Sequence, residues 1–189
     1  MSKPPAVARF QTLLRIPTIS YTDESLTDWT VFDTFIATLA ELYPQVHARL
    51  DRDIVAGHSL LFRWPGRNSD EPSVLMAHYD VVHATDFGWK HPPFAGELSG
   101  RGKDELIWGR GTLDNKGSVV SILEAVETQL VAGLVPAQDI YLAFTHNEES
   151  AGGAAPAIVD LLESRGIRPA LVLDEGGAVW EGVFPAGPP

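Results

Sequence analysis

Three apolar runs in this chain end directly on groups that titrate or bind metals, and this repetition constrains the fold more than any other feature. Val74-Leu75-Met76-Ala77 leads into His78-Tyr79-Asp80, and Ile140-Tyr141-Leu142-Ala143-Phe144 leads, past Thr145, into His146-Asn147-Glu148-Glu149. Leu171-Val172-Leu173 leads into Asp174-Glu175. Apolar runs without alternation suit strands buried on both faces, which need helices above and below them. The intervening segments supply those helices. Lys116 to Val131 repeats Val119, Val120, Leu123, Val126 and Leu130 at helical spacing and stops at Gly133, and Ala154 to Arg165 stops at Gly166. Strand, helix, strand, helix, strand predicts an α/β fold: a three-layer α/β/α sandwich with a mainly parallel sheet.

Upstream, Pro4 to Ile16 reads as a short amphipathic helix with Val7, Phe10, Leu13 and Leu14 on one face, ended by Pro17. A second helix is expected over Thr27 to Leu42, its buried stripe marked by Trp29, Phe32, Phe35, Ile36, Leu39 and Leu42, and closed by Pro44. Val46 to Leu50 and Ser59 to Trp64 are strand candidates, and the stretch from Asp86 to Gly111 is loop with a hairpin through Glu97 to Trp108.

The length of 189 residues suits one domain with a substantial core. A net charge of -11 disfavours nucleic acid and anionic membrane as partners, because both require a basic surface. No cysteine is present, which excludes disulfides, thiolate zinc sites and a cysteine nucleophile. That usage fits a reducing compartment, and a cytoplasmic location is expected. Met1 to Ile16 lacks the apolar core of a signal peptide, and no apolar run approaches the roughly 20 residues of a membrane helix.

In open α/β sheets, ligands bind beyond the carboxyl ends of the strands, where this reading places the polar clusters. His78 and Asp80, two apart on a strand, share a face. Asp80 can then accept the spare N–H of a metal-bound imidazole; the alternative is a buried histidine hydrogen-bonded to its neighbour. Asp114 directly precedes a helix, so it is an N-cap or a carboxylate bridging two metals about 3.5–4 Å apart. Glu148 and Glu149 leave the backbone in different directions, so one can bind metal while the other moves a proton; the alternative is a solvated acidic turn, and it applies to Asp174-Glu175 too. Imidazole and carboxylates together suit zinc, which accepts both N and O ligands.

The segments Ala77-His78-Tyr79-Asp80-Val81-Val82, Trp108 to Gly117, His146 to Gly153 and Leu173-Asp174-Glu175-Gly176-Gly177 resemble, in this order, those of the M20 metallopeptidases. Trp89 to Gly96 and Leu173 to Gly177 look most like the carboxypeptidase S branch, which includes Gly-X carboxypeptidases and N-fatty-acyl-amino-acid hydrolases. The resemblance implies the catalytic domain of a di-zinc exopeptidase (Co2+ or Mn2+ being possible substitutes) acting on a small peptide or an N-acyl amino acid. It implies that His78 binds one zinc and Asp80 orients it. Asp114 bridges both, usually through a cis peptide to the next residue, here Asn115. Glu148 is the general base, Glu149 a ligand of one zinc, and Asp174 a ligand of the other.

Asn115 and Asn147 stand where many members have aspartate, and tuning rather than loss is expected. The resemblance also implies a further histidine ligand, after an inserted lid and dimerisation domain; here the last histidine is His146. Residues 1–189 are therefore expected to be the N-terminal part of the catalytic domain, of weak or no activity alone, and the implied dimerisation domain allows the complete protein to be a homodimer. Two other functions stay open: an N-acetyl- or N-succinyl-amino-acid deacylase, and a non-catalytic metal-binding or interaction remnant. His47, His58, His83 and His91 read as structural or exposed, and His146 as a neighbour of the site. The five tryptophans read as core, although Trp89 and Trp108 flank the site loops.

Overall fold

Five α-helices and seven β-strands, with two short 3-10 helices at Glu24–Leu26 and Gly102–Asp104, follow one another in the computed structural model, which describes residues 5–85 and 87–176. Pro4, Asp86 and Gly177, which bound predicted segments, lie outside them. The helices are α1 (Pro5–Leu14), α2 (Trp29–Leu42), α3 (Pro44–Arg49), α4 (Lys116–Val131) and α5 (Ala154–Ser164). The strands are β1 (Asp51–Val55), β2 (Ser59–Trp64), β3 (Asn68–His78), β4 (Glu97–Ser99), β5 (Leu106–Trp108), β6 (Gln138–Thr145) and β7 (Leu171–Leu173).

The main sheet has the order β1-β2-β6-β3-β7, and β4 and β5 form a separate antiparallel hairpin. The α/β class holds, and the expected mainly parallel sheet is mixed in detail. β3 pairs in parallel with β6 and β7, whereas β1–β2 and β2–β6 are antiparallel. Both faces of the central strands are covered, which gives the three layers, whereas Leu171, Val172 and Leu173 of the edge strand β7 are each more than half exposed. Leu60, Phe62, Ala77, Leu142 and Phe144 face one core with Leu13, Phe32, Phe35, Val46, Val119 and Leu123 from α1 to α4. Leu61, Val74, Tyr141 and Ala143 face a second core with Ile158 and Leu162 of α5. The continuous apolar strands are continuous because alternate residues enter different cores.

Val46 to Leu50 is not a strand. Pro44 occupies the start of α3, where its fixed φ suits the first helical turn and its missing N–H is no loss. The buried Glu127 of α4 accepts from the N–H groups of Gln45 and Val46 at 3.0 and 2.9 Å. It therefore caps α3 from another helix, with a carboxylate at the positive end of the dipole. Glu127→Ala is expected to cost about 1–2 kcal/mol, read as a lower midpoint in urea unfolding, because one buried and one half-buried donor lose their acceptor. A midpoint within error of wild type would dismiss the cap.

The parallel strands bring their carboxyl ends to one edge, with His78 in register with Thr145 and Leu75 with Leu173. Beyond β3 the chain continues beside Pro17 to Ser20. Ile19 bridges Val81, and the N–H of Val81 donates to the Thr18 carbonyl at 2.9 Å. No helix among the described residues is long and apolar enough to cross a membrane.

Candidate metal centre

His78 ends β3 with its side chain 1% exposed, and Asp80 beside it is fully buried. Burying a carboxylate is costly unless donors satisfy it, and Asp80 has four. One oxygen takes the N–H of Glu148 at 3.1 Å and lies 3.3 Å from Nδ1 of His78. The other takes the Ser20 hydroxyl at 2.6 Å and the N–H of Glu149 at 3.1 Å. Asp80 thus joins the end of β3, the Pro17–Ser20 segment and the turn after β6. The expected orienting of His78 is one part of a larger role, because the same imidazole nitrogen also lies 3.1 Å from the Asp80 backbone carbonyl.

Nε2 of His78 points the other way, into a ring of carboxylates. It lies 2.8 Å from Asp114, 3.3 Å from Glu175 and 3.9 Å from Glu148. Among the described residues, two sets of three groups have ligand atoms within 4.8 Å of one another: His78, Asp114 and Glu149, and His78, Glu148 and Glu175. Asp114 sits just before α4, and the Asp114–Asn115 peptide is cis. Nδ2 of Asn115 donates to Glu175.

The electrostatics show anions crowded around one imidazole. Burial pulls the His78 pKa down, but the Asp80 carboxylate, with Glu175 and Asp114, overrides this and raises it to about 10. Glu149 is pushed up by burial and then by Asp114; Glu175 is pushed up by burial and Asp114 against the opposing pull of His78. Glu149 and Glu175, held above the ordinary carboxylate range by burial and then by neighbouring anions, are stabilised as anions when a divalent cation enters, so this donor set of one imidazole and several oxygens fits a metal.

The structure gathers five of the six predicted site residues: His78, Asp80, Asp114, Glu148 and Glu149. Asp174 belongs to neither set of three, and its carboxylate accepts the N–H of Glu175 at 2.9 Å. Glu175 stands nearer His78 instead. The two are adjacent at a strand end, so sequence could not tell which of them turns inward.

Lys116 and Ser20 were assigned no role from sequence. Lys116 is fully buried, donates to the carbonyls of Leu13 and Ile16 at 3.2 and 2.5 Å, and sits 5.1 Å above the Phe35 ring. Burial outweighs the pull of Asp80 and lowers its pKa to about 7. It fastens the start of α4, and so the loop carrying Asp114, to the end of α1. Gly152 has a comparable positional reason: a Cβ there would lie 2.0 Å from the Asn147 side chain. The Asn147 side chain in turn accepts the N–H of Ala154 at 3.3 Å, at the start of α5.

The other histidines stay away from the carboxylate ring. His146 is buried, 2.7 Å from the Ser59 hydroxyl and packed edge-on against Trp29 and Phe32, and burial, then His58, pulls its pKa down to about 4. His58 stacks on Trp29, His47 accompanies Phe62, and His91 meets Glu97 at 2.7 Å. His83 is exposed.

The sequence profile of Peptidase family M20/M25/M40 matches residues 74–188. The chain is 37% identical over 175 residues to a human N-fatty-acyl-amino acid synthase/hydrolase, covering 91% of this chain and 34% of that protein. It is 42% identical over 138 residues to the probable carboxypeptidase S-like 2 of Dictyostelium discoideum, covering 71% of this chain and 26% of that protein. The chain therefore spans about a third or less of the length of these relatives. The M20 family metallo-carboxypeptidase Sso-CP2 from Sulfolobus solfataricus superposes with a TM-score of 0.66 at 22% identity, over 94% of this chain and 38% of that one, a likeness of fold. The profile covers more than half of the chain and includes His78, Asp114 and the Glu148–Glu149 pair, and the chain belongs to Peptidase family M20/M25/M40.

Proposed function

We propose that this chain carries the metal-binding part of a di-zinc hydrolase that cleaves the amide bond of a small peptide or an N-acyl amino acid. The observation that carries the reading is the convergence of Asp114, Glu148, Glu149 and Glu175 on His78, with Asp80 buried behind it. Relatives named as a carboxypeptidase S-like protein and an N-fatty-acyl-amino acid hydrolase support the two substrate classes. When bound, two zinc ions lower the pKa of water and polarise the amide carbonyl.

The chain's own groups do the rest. His78 offers Nε2 while Asp80 holds Nδ1, which fixes the tautomer. Asp114 offers two oxygens at the centre of the cluster, and Glu149 joins it on one side. The resemblance assigns Asp174 to the other ion from Glu149; Glu175, its neighbour, lies 3.3 Å from Nε2 of His78 and offers a further carboxylate on the His78 side of the cluster. Glu148 is 53% exposed, with its backbone fixed by Asp80, so its carboxylate is free to take a proton from water and return it to the leaving amine.

The proposal extends to a longer protein, in which a closing histidine and a lid and dimerisation domain come from sequence outside residues 1–189. A cytoplasmic setting belongs to the same proposal.

The test is hydrolysis of dipeptides, N-acetyl, N-succinyl and long-chain N-acyl amino acids by the full-length, zinc-loaded protein and its Glu148→Gln variant. We expect the variant to keep its zinc and its KM and to lose about 100-fold or more in kcat. Equal turnover by the variant would remove Glu148 as the base. A zinc-loaded protein that hydrolyses no member of the panel would leave a non-catalytic metal-binding module.

A further inference from the structure

We propose that a groove beside the metal centre, walled by the β4–β5 hairpin and the loop before it, holds the apolar acyl chain of an N-acyl amino acid; this rests on the hydrolase reading above. The groove has a volume of about 640 Å³; its apolar lining is Trp89, Leu106, Ile107, Trp108 and Leu113, with Glu105 and Arg110 among them and Asp114 at one end. That volume is in the range of small-molecule sites. Asp114 is also the group 2.8 Å from His78, so the groove and the carboxylate ring are continuous.

Its apolar walls are open to solvent. Leu106 is 55% exposed and Leu113, adjacent in sequence to Asp114, is 93% exposed. Large apolar side chains exposed beside a polar centre mark a binding surface when they line a concavity.

The walls are also fixed in place. The Trp108 indole N–H donates to the Ser99 hydroxyl at 2.6 Å, and Lys90 lies 5.5 Å from its ring. Arg110 lies 5.3 Å from the Trp89 ring. The segment leading into the hairpin is tied to α1: the Gln11 side chain donates to the Gly96 carbonyl at 2.6 Å and Arg15 to the Ala95 carbonyl at 3.0 Å. Rigid aromatic walls lose little freedom when a ligand enters.

The chemistry of the lining selects the occupant. A bound peptide brings an N–H and a C=O per residue, each needing a partner. Here the indole N–H of Trp108 is already used, and the Arg110 guanidinium lies beside the Trp89 ring; its Nε is buried without a partner among the described residues and can meet one carbonyl, fewer than the groups an extended peptide carries. An alkyl chain needs no partner, and it would cover Leu106, Leu113 and the indole faces. Its amide would then lie at the Asp114 end, where the carboxylates converge.

The test is calorimetric titration of the full-length, zinc-loaded protein with N-acetylglycine, N-octanoylglycine and N-dodecanoylglycine below their micelle concentrations. We expect Kd to fall along the series, by up to about fourfold per added methylene, the equivalent of about 0.8 kcal/mol, until the chain outgrows the groove. Leu106→Asp and Trp89→Ala should each weaken N-dodecanoylglycine by about tenfold or more, with zinc content unchanged as the check on folding. A Kd independent of chain length, or one unmoved in both variants, would overturn the proposal. So would a leucine-containing dipeptide that gains and loses affinity in parallel with the acyl series, which would give the groove to a peptide side chain. Turnover of N-acetylglycine reports separately on the hydrolase reading. Length-dependent binding without any turnover keeps the groove and sinks the hydrolase; turnover without length dependence does the reverse.

Discussion

Replacing Asp114 by alanine is expected to cut the zinc held by the reconstituted protein from about two ions per chain to about one or none, without unfolding it. Asp114 is the carboxylate closest to Nε2 of His78, and it shares a cluster with Glu149. A bridging group is a ligand of both ions, so its loss weakens both sites at once. Its side chain is 64% exposed, and apart from His78 it has no hydrogen-bond partner among the described residues, so little of the fold depends on it. Elemental analysis after dialysis, with circular dichroism on the same samples, separates the two effects. A folded Asp114→Ala protein that still retains about two zinc ions would exclude Asp114 from the centre. A folded wild type that binds no zinc would undo the metal proposal as a whole.

The parts of this structure that the sequence made legible are those where one strong periodicity acts alone. α4 falls on Lys116–Val131 as expected, because its apolar spacing is regular and Gly133, at φ 74°, stops it. β6 was legible because both of its faces are covered, and β7 because Leu171-Val172-Leu173 is an unbroken apolar run, although each of its residues is more than half exposed. β1 was not: Asp-Arg-Asp-Ile-Val is an edge strand with charged, exposed residues, so no apolar run announces it. Val46 and Leu50, four apart, fit a strand or a helix equally, and the cap from Glu127, far along the chain, decides between them. The mixed sheet was hidden for a related reason. Strand direction depends on which neighbour a strand pairs with, and β2 pairs with β6, more than 70 residues away in sequence. At the site, residue types were legible but partners were not. Nothing local shows that Ser20 reaches Asp80, that Lys116 reaches Leu13 and Ile16, or that Glu175 rather than Asp174 turns toward His78.

Asp80 is the case in which a residue expected to serve chemistry carries the fold as well, and Asp80→Ala is expected to lower unfolding free energy by about 3–5 kcal/mol. The size follows from its partners. The side chain is fully buried and answers the Ser20 hydroxyl, the N–H groups of Glu148 and Glu149, and the His78 imidazole. Alanine leaves the Ser20 hydroxyl and the two N–H groups without this acceptor, while Nδ1 of His78 keeps the backbone carbonyl of residue 80 at 3.1 Å; each buried orphan costs about 1–3 kcal/mol, partly relieved by local relaxation. It also removes the main anion that keeps the buried His78 protonated when no metal is bound. Asp80→Asn keeps an acceptor of similar shape, but it turns an NH2 group toward donors and loses the charge, so it should recover less than half of the loss. Urea unfolding of the metal-free proteins measures this without interference from zinc. Asp114→Ala provides the contrast, because it removes a carboxylate from the same imidazole at an exposed position and should move stability by less than about 1 kcal/mol. If Asp80→Ala unfolded within about 1 kcal/mol of wild type, the turn bearing Glu148 and Glu149 would have to be held by something other than this carboxylate. If both variants lost zinc but only Asp80→Ala lost stability, the two carboxylates on either side of His78 would have separate roles, one holding metal and the other holding the residues that surround it.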